Sequence, residues 1–125
     1  FEWFKNTKSN YKKEDFLKIY IDFPRSDLLK KINIRTKKMI NNGAILETKK
    51  FLRLKVHKSK SANKAIGINE IREYLAKKIQ IDDVIEKISI KTRQYAKRQT
   101  TWARGNMKDW NKINPNALNI FLKKI

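Results

Sequence analysis

Side chains that favour burial recur at helical spacing through most of the chain. After Ser26 the pattern predicts an amphipathic helix, capped by Ser26 and ended by a left-handed turn at Gly43. A second helix follows at once, a third begins after Gly67, and the longest spans residues 81 to about 104, ended by Gly105. The predicted core positions of the four helices are, in order, Leu28, Leu29, Ile32, Met39 and Ile40; Ala44, Ile45, Thr48, Phe51 and Leu52; Ile71, Tyr74 and Leu75; and Val84, Ile88, Tyr95 and Trp102.

One stretch has the pattern of a strand. Residues 16–23, FLKIYIDF, are rich in aromatic and β-branched side chains and precede Pro24, which predicts a strand buried on both faces. Only residues 109–111 could form another short extended piece, so this strand lacks obvious neighbours. Asn114 and Pro115 predict the cap and first residue of a last helix. Its apolar positions are Leu118, Phe121, Leu122 and Ile125.

Length and charge narrow the classes of function. The 125 residues suffice for one domain, residues 1–125. The formal net charge of +19 favours a polyanionic partner, nucleic acid before membrane, although Lys, Ile and Asn are abundant throughout and part of the charge reflects composition alone. Cysteine is absent and no apolar run approaches the roughly 20 residues that span a bilayer, so we expect a cytoplasmic protein without a membrane partner.

Side chains for catalysis are scarce. The single histidine, His57, has no second histidine or cysteine to share a metal and no partner for a Ser-His-Asp arrangement, so we expect it on the surface. The three glycines are scattered and form no phosphate-binding loop. Three aromatics at the beginning, Phe1, Trp3 and Phe4, are expected to pack on the body of the protein rather than bind a ligand. Taken alone, the chain has the composition of a binding surface.

One face of the longest predicted helix is cationic. At about 100° per residue, four polar side chains fall within about 60° of one another: Arg93, Lys97, Thr100 and Arg104. Cations four residues apart repel by roughly 0.2–0.5 kcal/mol, which a bound anion would offset. The stripe therefore predicts phosphate contacts, with a solvated face as the alternative.

Other candidate contacts lie outside this stripe. Arg35 and Lys64 could neutralise phosphates, and Gly67 could let the backbone approach a ligand closely. For Arg35 and Gly67, taken without other information, a plain structural role is the preferred interpretation and ligand contact is the alternative. Tyr95 and Trp102 are predicted to lie in the core, with base stacking as the alternative.

Three stretches, in this order and spacing, resemble the tRNA dimethylallyltransferases. They are DLLKKINIRTKKMINNGAILE at residues 27–47, KAIGINEIREYL at 64–75 and TRQYAKRQTTWAR at 92–104. The chain departs from the family pattern at Ile68-Asn69, where Tyr-Arg is common, and at Ala103, where a bulkier apolar residue is common. The resemblance covers nearly the whole chain.

The resemblance implies the C-terminal part of an α/β P-loop-type fold whose sheet is largely missing here, mostly α with one or two short strands. The phosphate loop, the catalytic Asp and the Mg ligands would belong to an N-terminal half without counterpart in this chain, which opens on Phe1 rather than Met and is expected to be part of a longer or split product. Residues 16–23 would be a strand of that core. A separate chain supplying the N-terminal half is one expected partner.

The resemblance also implies site residues, none of them catalytic or metal-binding. Arg35 would contact the pyrophosphate of dimethylallyl diphosphate. The implied tRNA contacts are Lys64, Ala65, Ile66, Gly67, Ile68, Asn69, Lys97, Arg98, Gln99, Thr100, Thr101, Trp102, Ala103 and Arg104. Arg93, from the cationic stripe, is predicted as a further tRNA contact.

The implied activity is transfer of a dimethylallyl group from dimethylallyl diphosphate to the exocyclic nitrogen of the adenine next to the tRNA anticodon. The partners would be the tRNA anticodon stem-loop and dimethylallyl diphosphate, with Mg as cofactor, and the chain alone is expected to be inactive. Two alternatives stay open: a small basic helical RNA-binding module without catalysis, and a decayed gene fragment that does not fold stably.

Overall fold

The computed structural model describes residues 10–123. The predictions for Phe1, Trp3, Phe4 and Ile125 lie outside the described residues. The described chain divides into two compact units, Phe23–Asn106 and the residues on either side of it in sequence, 10–22 and 107–123. Within residues 10–123, no helix is both long enough and apolar enough to cross a membrane.

The larger unit is built from helices. Within it, α1 is Arg25–Met39, α2 is Ile45–Arg53, α3 is Ile68–Leu75 and α4 is Ile81–Asn106, and a 3-10 turn at Ser61–Lys64 precedes α3. Both α1 and α3 pack against α4. The predicted fold class, mostly α with one or two short strands, is confirmed.

A small aliphatic core holds these helices together. Ile40, Ile71, Val84 and Ile88 are buried and in mutual contact, and Val84 is wholly inaccessible. Burying each such side chain contributes roughly 1.5–3 kcal/mol. Every core position predicted for the first three helices, together with Val84 and Ile88 of the fourth, is buried or partly buried, which confirms those predictions. Partly buried side chains that pack around them are Met39, Ala44, Ile45, Tyr74, Leu75, Ile79, Ile81 and Ile85.

Two of the predicted helix boundaries are wrong. The first helix begins at Arg25 directly after Pro24, and no side chain caps it, so Ser26 lies inside the first turn. The proline sets the entry instead, since its ring fixes φ and its carbonyl accepts from the backbone N–H of Leu28 at 3.0 Å. Helix α4 continues through Gly105 because the side-chain amide of Asn106 donates to the Trp102 carbonyl at 2.8 Å and satisfies a terminal acceptor.

The turn between α1 and α2 lies where the sequence predicts it. A wide turn spans Ile40–Ala44, and inside it Asn42 and Gly43 leave the helical conformation. Gly43 has φ +104°, a left-handed value that a side chain would disfavour. The predicted left-handed stop at Gly43 is confirmed.

The other unit contains a two-stranded parallel sheet. Strand β1, Ile19–Ile21, pairs in parallel with β2, Asn111–Ile113. The prediction of a strand over 16–23 buried on both faces is wrong: only three residues pair, and Phe16 and Leu17 are at least half exposed. A single short neighbour can bury no more of the stretch.

The last helix of this unit begins with the predicted cap. The side-chain oxygen of Asn114 accepts from the Asn116 backbone N–H at 2.9 Å, and a 3-10 turn at Pro115–Ala117 leads into α5, Leu118–Leu122. Leu118 and Phe121 are partly buried and Leu122 is exposed. The predicted capped start at Asn114 and Pro115 is confirmed.

Candidate nucleic-acid interface

The second half of α4 presents cations that form no ion pair with any acidic side chain among the described residues. Within residues 10–123 the ion pairs join Lys87 to Glu73 and Lys91 to Glu70, both earlier on the helix. Every charged side chain beyond them on α4 is positive, so an anion that approaches this half of the helix meets no carboxylate on it. The exposed cations are Arg93, Lys97, Arg98 and Arg104.

The neutral residues among these cations differ in their access to a ligand. The Thr100 hydroxyl donates to the Ala96 carbonyl at 3.1 Å, and the Thr101 hydroxyl donates to the Lys97 carbonyl at 3.0 Å. Both hydroxyl protons are thus used within the helix. Ala103 is buried, while Gln99 is exposed. Contacts to phosphate from this helix would come from the cations rather than from the threonines.

The predicted burial of Tyr95 and Trp102 is wrong. Tyr95 is 50% exposed and Trp102 is 58% exposed. From Ile88 onward the buried side of α4 continues in steps of four, and each such step advances the stripe by about 40° around the helix. Because the buried stripe rotates away from the side of the helix on which Ile88 lies, Tyr95 and Trp102, which stay near that side, are exposed to solvent. The residues that follow Ile88 on the inward side are small: Thr92, Ala96 and Thr100 in steps of four, and then Ala103.

The exposed aromatic residues lie beside cations. The guanidinium carbon of Arg98 is 5.8 Å from the centre of the Tyr95 ring, within the range of a cation–π contact. A shallow depression adjoins this pair, lined by Gln94, Lys97, Arg98, Thr101 and Trp102. This face combines positive charge, an indole ring and neutral hydrogen-bonding groups.

The second predicted contact segment is the turn before α3. Gly67 is buried with φ +110°, and a Cβ placed there would lie 3.6 Å from Cδ1 of Ile88 and 3.8 Å from Cε of Met39. The space beside Gly67 is therefore bounded by the core. Ile68 is partly buried, so the exposed members of the segment are Lys64, Ala65, Ile66 and Asn69.

A buried carboxylate joins this turn to α4. Glu70 is 3% exposed, and its carboxylate accepts from the Gly67 backbone N–H at 2.9 Å and forms an ion pair with Lys91. Burial raises the pKa of the Glu70 carboxyl, but hydrogen bonds from Lys91 and from backbone N–H groups outweigh it, so the net pKa lies below its ordinary value. Sequence reasoning missed Glu70, although a Glu three residues after a helix cap is a recognised signal.

Asn69 is tied into a polar network. Its side-chain oxygen accepts from Arg72 at 3.0 Å, and Arg72 donates at 3.4 Å to Asn63, whose amide donates to the His57 carbonyl at 3.0 Å. The loop before α3 is thereby anchored to it. His57 is exposed, as predicted, with its ring nitrogen 2.8 Å from the Ser59 hydroxyl.

Arg35 is exposed on α1, in the same compact unit as α4. No acidic side chain among residues 10–123 forms an ion pair with it. Arg35, the turn before α3 and the α4 cations thus share one helical unit. Glu70 connects that turn to α4 at Lys91.

Comparison with known proteins identifies the family. The family model described as IPP transferase matches residues 1–106. The chain belongs to the IPP transferase family. A tRNA dimethylallyltransferase of Pelagibacter ubique (strain HTCC1062) is 53% identical over 125 residues, which cover 100% of this chain and 40% of the relative. Another from Wolbachia pipientis wMel is 47% identical over 89 residues, 70% of this chain and 30% of that relative.

Solved structures of IPP transferases share the fold. A tRNA isopentenylpyrophosphate transferase of Staphylococcus epidermidis superposes with a TM-score of 0.71 at 32% identity, covering 80% of this chain and 32% of that chain. The enzyme of Bacillus halodurans gives a TM-score of 0.70 at 31% identity, covering 90% and 36%. The chain matches a C-terminal portion of the family and spans 40% of the Pelagibacter relative's length. The predicted resemblance is confirmed.

Proposed function

We propose that this chain is the C-terminal part of an enzyme of tRNA modification. The enzyme transfers a dimethylallyl group from dimethylallyl diphosphate to the exocyclic nitrogen of the adenine next to the tRNA anticodon. The observation that carries the proposal is 53% identity along the whole chain to a protein named tRNA dimethylallyltransferase. The exposed cations in the second half of α4, which form no ion pair within residues 10–123, support RNA as the partner.

The role of this chain in that reaction is to position the RNA and to neutralise the negative charge of phosphate groups. Contacts to phosphate fix the register of an RNA without reading its sequence, which suits the exposed cations of α4 and Lys64. In the transfer, the adenine nitrogen attacks the allylic carbon while the bond from that carbon to the diphosphate oxygen breaks. Arg35 holds the leaving pyrophosphate, because a fixed cation stabilises the charge that develops there. The anticodon stem-loop is the part of the tRNA that carries the target adenine.

No residue of this chain is assigned as a magnesium ligand. Among residues 10–123, no three side chains of His, Cys, Asp or Glu lie close enough together to hold a metal ion. The magnesium expected from the family is therefore assigned to none of these residues.

A chimera tests the proposal directly. The matched 40% of the Pelagibacter relative is replaced by this chain, and transfer of a radiolabelled dimethylallyl group to anticodon stem-loop RNA is measured. We expect transfer by the chimera and none by the 125-residue chain alone. A folded chimera that binds the RNA but transfers nothing would favour an RNA-binding module without catalysis, and incorporation by the lone chain would disprove its incompleteness.

The role of Arg35 is tested in the same chimera. Arg35→Gln is expected to lower the rate of transfer by about 100- to 1,000-fold, the usual effect of removing one group that stabilises developing charge. Lys38→Gln is the matched control, since Lys38 is another exposed cation of α1. Equal rates for the two variants would remove Arg35 from the pyrophosphate site.

A further inference from the structure

We infer that Arg72 is a contact for an RNA phosphate and that two asparagine side chains hold it in position. Arg72 lies in α3, beyond the contacts that the family resemblance implies. The inference rests on the proposed function, which supplies RNA as the partner. It deepens that function by adding a phosphate contact from α3 and by giving Asn69 the role of positioning this contact.

The guanidinium group of Arg72 is held at both of its terminal nitrogens. One nitrogen donates to the side-chain oxygen of Asn69 at 3.0 Å, and the other donates to that of Asn63 at 3.4 Å. The amide nitrogen of Asn63 donates to two backbone carbonyls of the preceding loop, at 3.4 and 3.0 Å, which directs its oxygen at Arg72. A guanidinium fixed in this way loses less side-chain freedom when it binds a ligand.

These contacts leave the positive charge of Arg72 without a counter-charge. Both acceptors are neutral amides, and the ion pairs within residues 10–123 join Glu70 and Glu73 to lysines of α4 instead. Two of the five guanidinium N–H donors are used, so three remain for a ligand on this exposed side chain. A structural tie between α3 and the loop needs only hydrogen bonds, which a neutral side chain also supplies. The charge therefore points to an anion.

The surroundings of Arg72 favour a polyanion over a single small anion. The loop to which Asn63 ties Arg72 carries no carboxylate between residues 53 and 64, and it presents exposed cations. They are Arg53, Lys55, Lys58, Lys60 and Lys64. The planar guanidinium matches a phosphate group through two parallel hydrogen bonds, whereas lysines act as point charges. An RNA backbone, which repeats phosphate groups, fits one fixed guanidinium among several further cations.

Binding of a fluorescent anticodon stem-loop RNA to the 125-residue chain tests the inference. Affinity is measured by anisotropy at several salt concentrations for the wild type, Arg72→Gln, Arg72→Lys, Asn69→Ala and the double variant Asn69→Ala/Arg72→Gln. Lys78→Gln is the matched control, since Lys78 is an exposed cation just beyond α3 that forms no ion pair within residues 10–123. Thermal melts establish that each variant is folded.

A phosphate contact at Arg72 predicts a specific pattern. Arg72→Gln should weaken RNA binding by about 10- to 100-fold, the usual effect of losing a hydrogen-bonded contact between charged groups. It should also lower the salt dependence by about one phosphate contact. Arg72→Lys should keep that salt dependence but lose part of the affinity, because it retains the charge without the planar fork. Lys78→Gln should stay close to the wild type in both respects.

The double variant tests the role of Asn69. If Asn69 positions Arg72, then Asn69→Ala should weaken RNA binding while Arg72 is present and add nothing in the Arg72→Gln background. An equal further loss in that background would show that Asn69 contacts the RNA itself, and it would overturn the positioning role.

Other outcomes overturn the phosphate contact. Weaker binding by Arg72→Gln with an unchanged salt dependence would leave Arg72 a structural tie, and an equal loss for Lys78→Gln would reduce its effect to net charge. Calorimetric titration with inorganic pyrophosphate tests the other source of phosphate: lost pyrophosphate affinity with unchanged RNA affinity would assign Arg72 to the diphosphate substrate. Should Arg72→Gln fail to fold, Arg72→Lys decides, and wild-type affinity in that variant would contradict the inference.

Failure of the proposed function is distinguishable from failure of this inference. It would appear as a chimera that transfers no prenyl group although RNA binding that depends on Arg72 persists. Transfer by the chimera together with RNA binding that ignores Arg72→Gln would instead keep the proposed function and remove this contact.

Discussion

The ion pair between Glu70 and Lys91 leads to a prediction about stability and pH. Replacing Glu70 by Gln keeps a side-chain oxygen for the Gly67 backbone N–H and removes the charge. We expect Glu70→Gln to lower the free energy of unfolding at pH 7, because the Lys91 ammonium loses a charged partner whose oxygens are otherwise buried. The same change loosens the junction between the turn before α3 and α4.

The magnitude follows from the unequal exposure of the partners. A hydrogen bond between charged groups contributes roughly 1.5–3 kcal/mol, and breaking a fully buried pair costs more. The Glu70 side chain is 3% exposed but the Lys91 side chain is 52% exposed, so solvent screens part of the attraction. We expect a loss of about 1–2 kcal/mol for Glu70→Gln and a similar loss for Lys91→Met, which strands the carboxylate.

The assay is urea unfolding of wild type and Glu70→Gln between pH 7 and pH 3. The pKa of Glu70 is lowered by folding, so its contribution is fully present above the ordinary value of 4.5 and is lost as the pH falls through the lower folded-state value. The two proteins should therefore differ at pH 7 and converge as Glu70 becomes protonated in the wild type. A double-mutant cycle with Lys91→Met should show coupling.

The matched control is the neighbouring pair of Glu73 and Lys87, which joins the same two helices at 2.8 Å with both side chains nearly half exposed. Glu73→Gln should change stability little, because exposed pairs contribute little. The reasoning is refuted if Glu70→Gln is as stable as the wild type at pH 7, or if their difference is the same at pH 7 and pH 3.

Two further predictions concern glycine and the core. Gly67→Ala should destabilise the protein by about 1–2 kcal/mol, because φ is +110° at Gly67 and an alanine side chain disfavours that value. Gly105→Ala should instead stabilise the protein by about 0.5–1 kcal/mol, because Gly105 lies within α4 with open space around it. Thermal melts that rank the two variants in the opposite order would contradict this reasoning. Ile71→Ala should cost about 2–5 kcal/mol in urea unfolding, and a loss below 1 kcal/mol would show that the core collapses around the gap.

Features that depend on short segments could be predicted from the sequence. The left-handed turn at Gly43 and the Asn114 cap are examples, because glycine's conformational freedom and the asparagine side chain act within a few residues. The cationic face of α4 could also be predicted, since the spacing of basic residues along a helix segment without acidic residues is read from the sequence alone. The family emerged from three motifs whose spacing survives over most of the chain.

Features that depend on packing could not be predicted in the same way. Large side chains suggested that Tyr95 and Trp102 face the core, but the buried side of α4 turns gradually and small residues follow it. The partner of Glu70 lies on another helix, at Lys91, and no local pattern links them. The short extent of β1 likewise depends on its neighbour β2, which a reading of residues 16–23 alone does not contain.

The parallel pairing of Ile19–Ile21 with Asn111–Ile113 can form only after both segments have been synthesised. Ile19 and Asn111 pair although 92 positions separate them, 111 minus 19. At about 5–20 residues per second, a ribosome needs about 5–18 s to make that interval. The pairing of β1 with β2 must wait for this interval, while the helices of Phe23–Asn106 can already form local contacts. The ladder between β1 and β2 therefore closes late, after the contacts within Phe23–Asn106 can form.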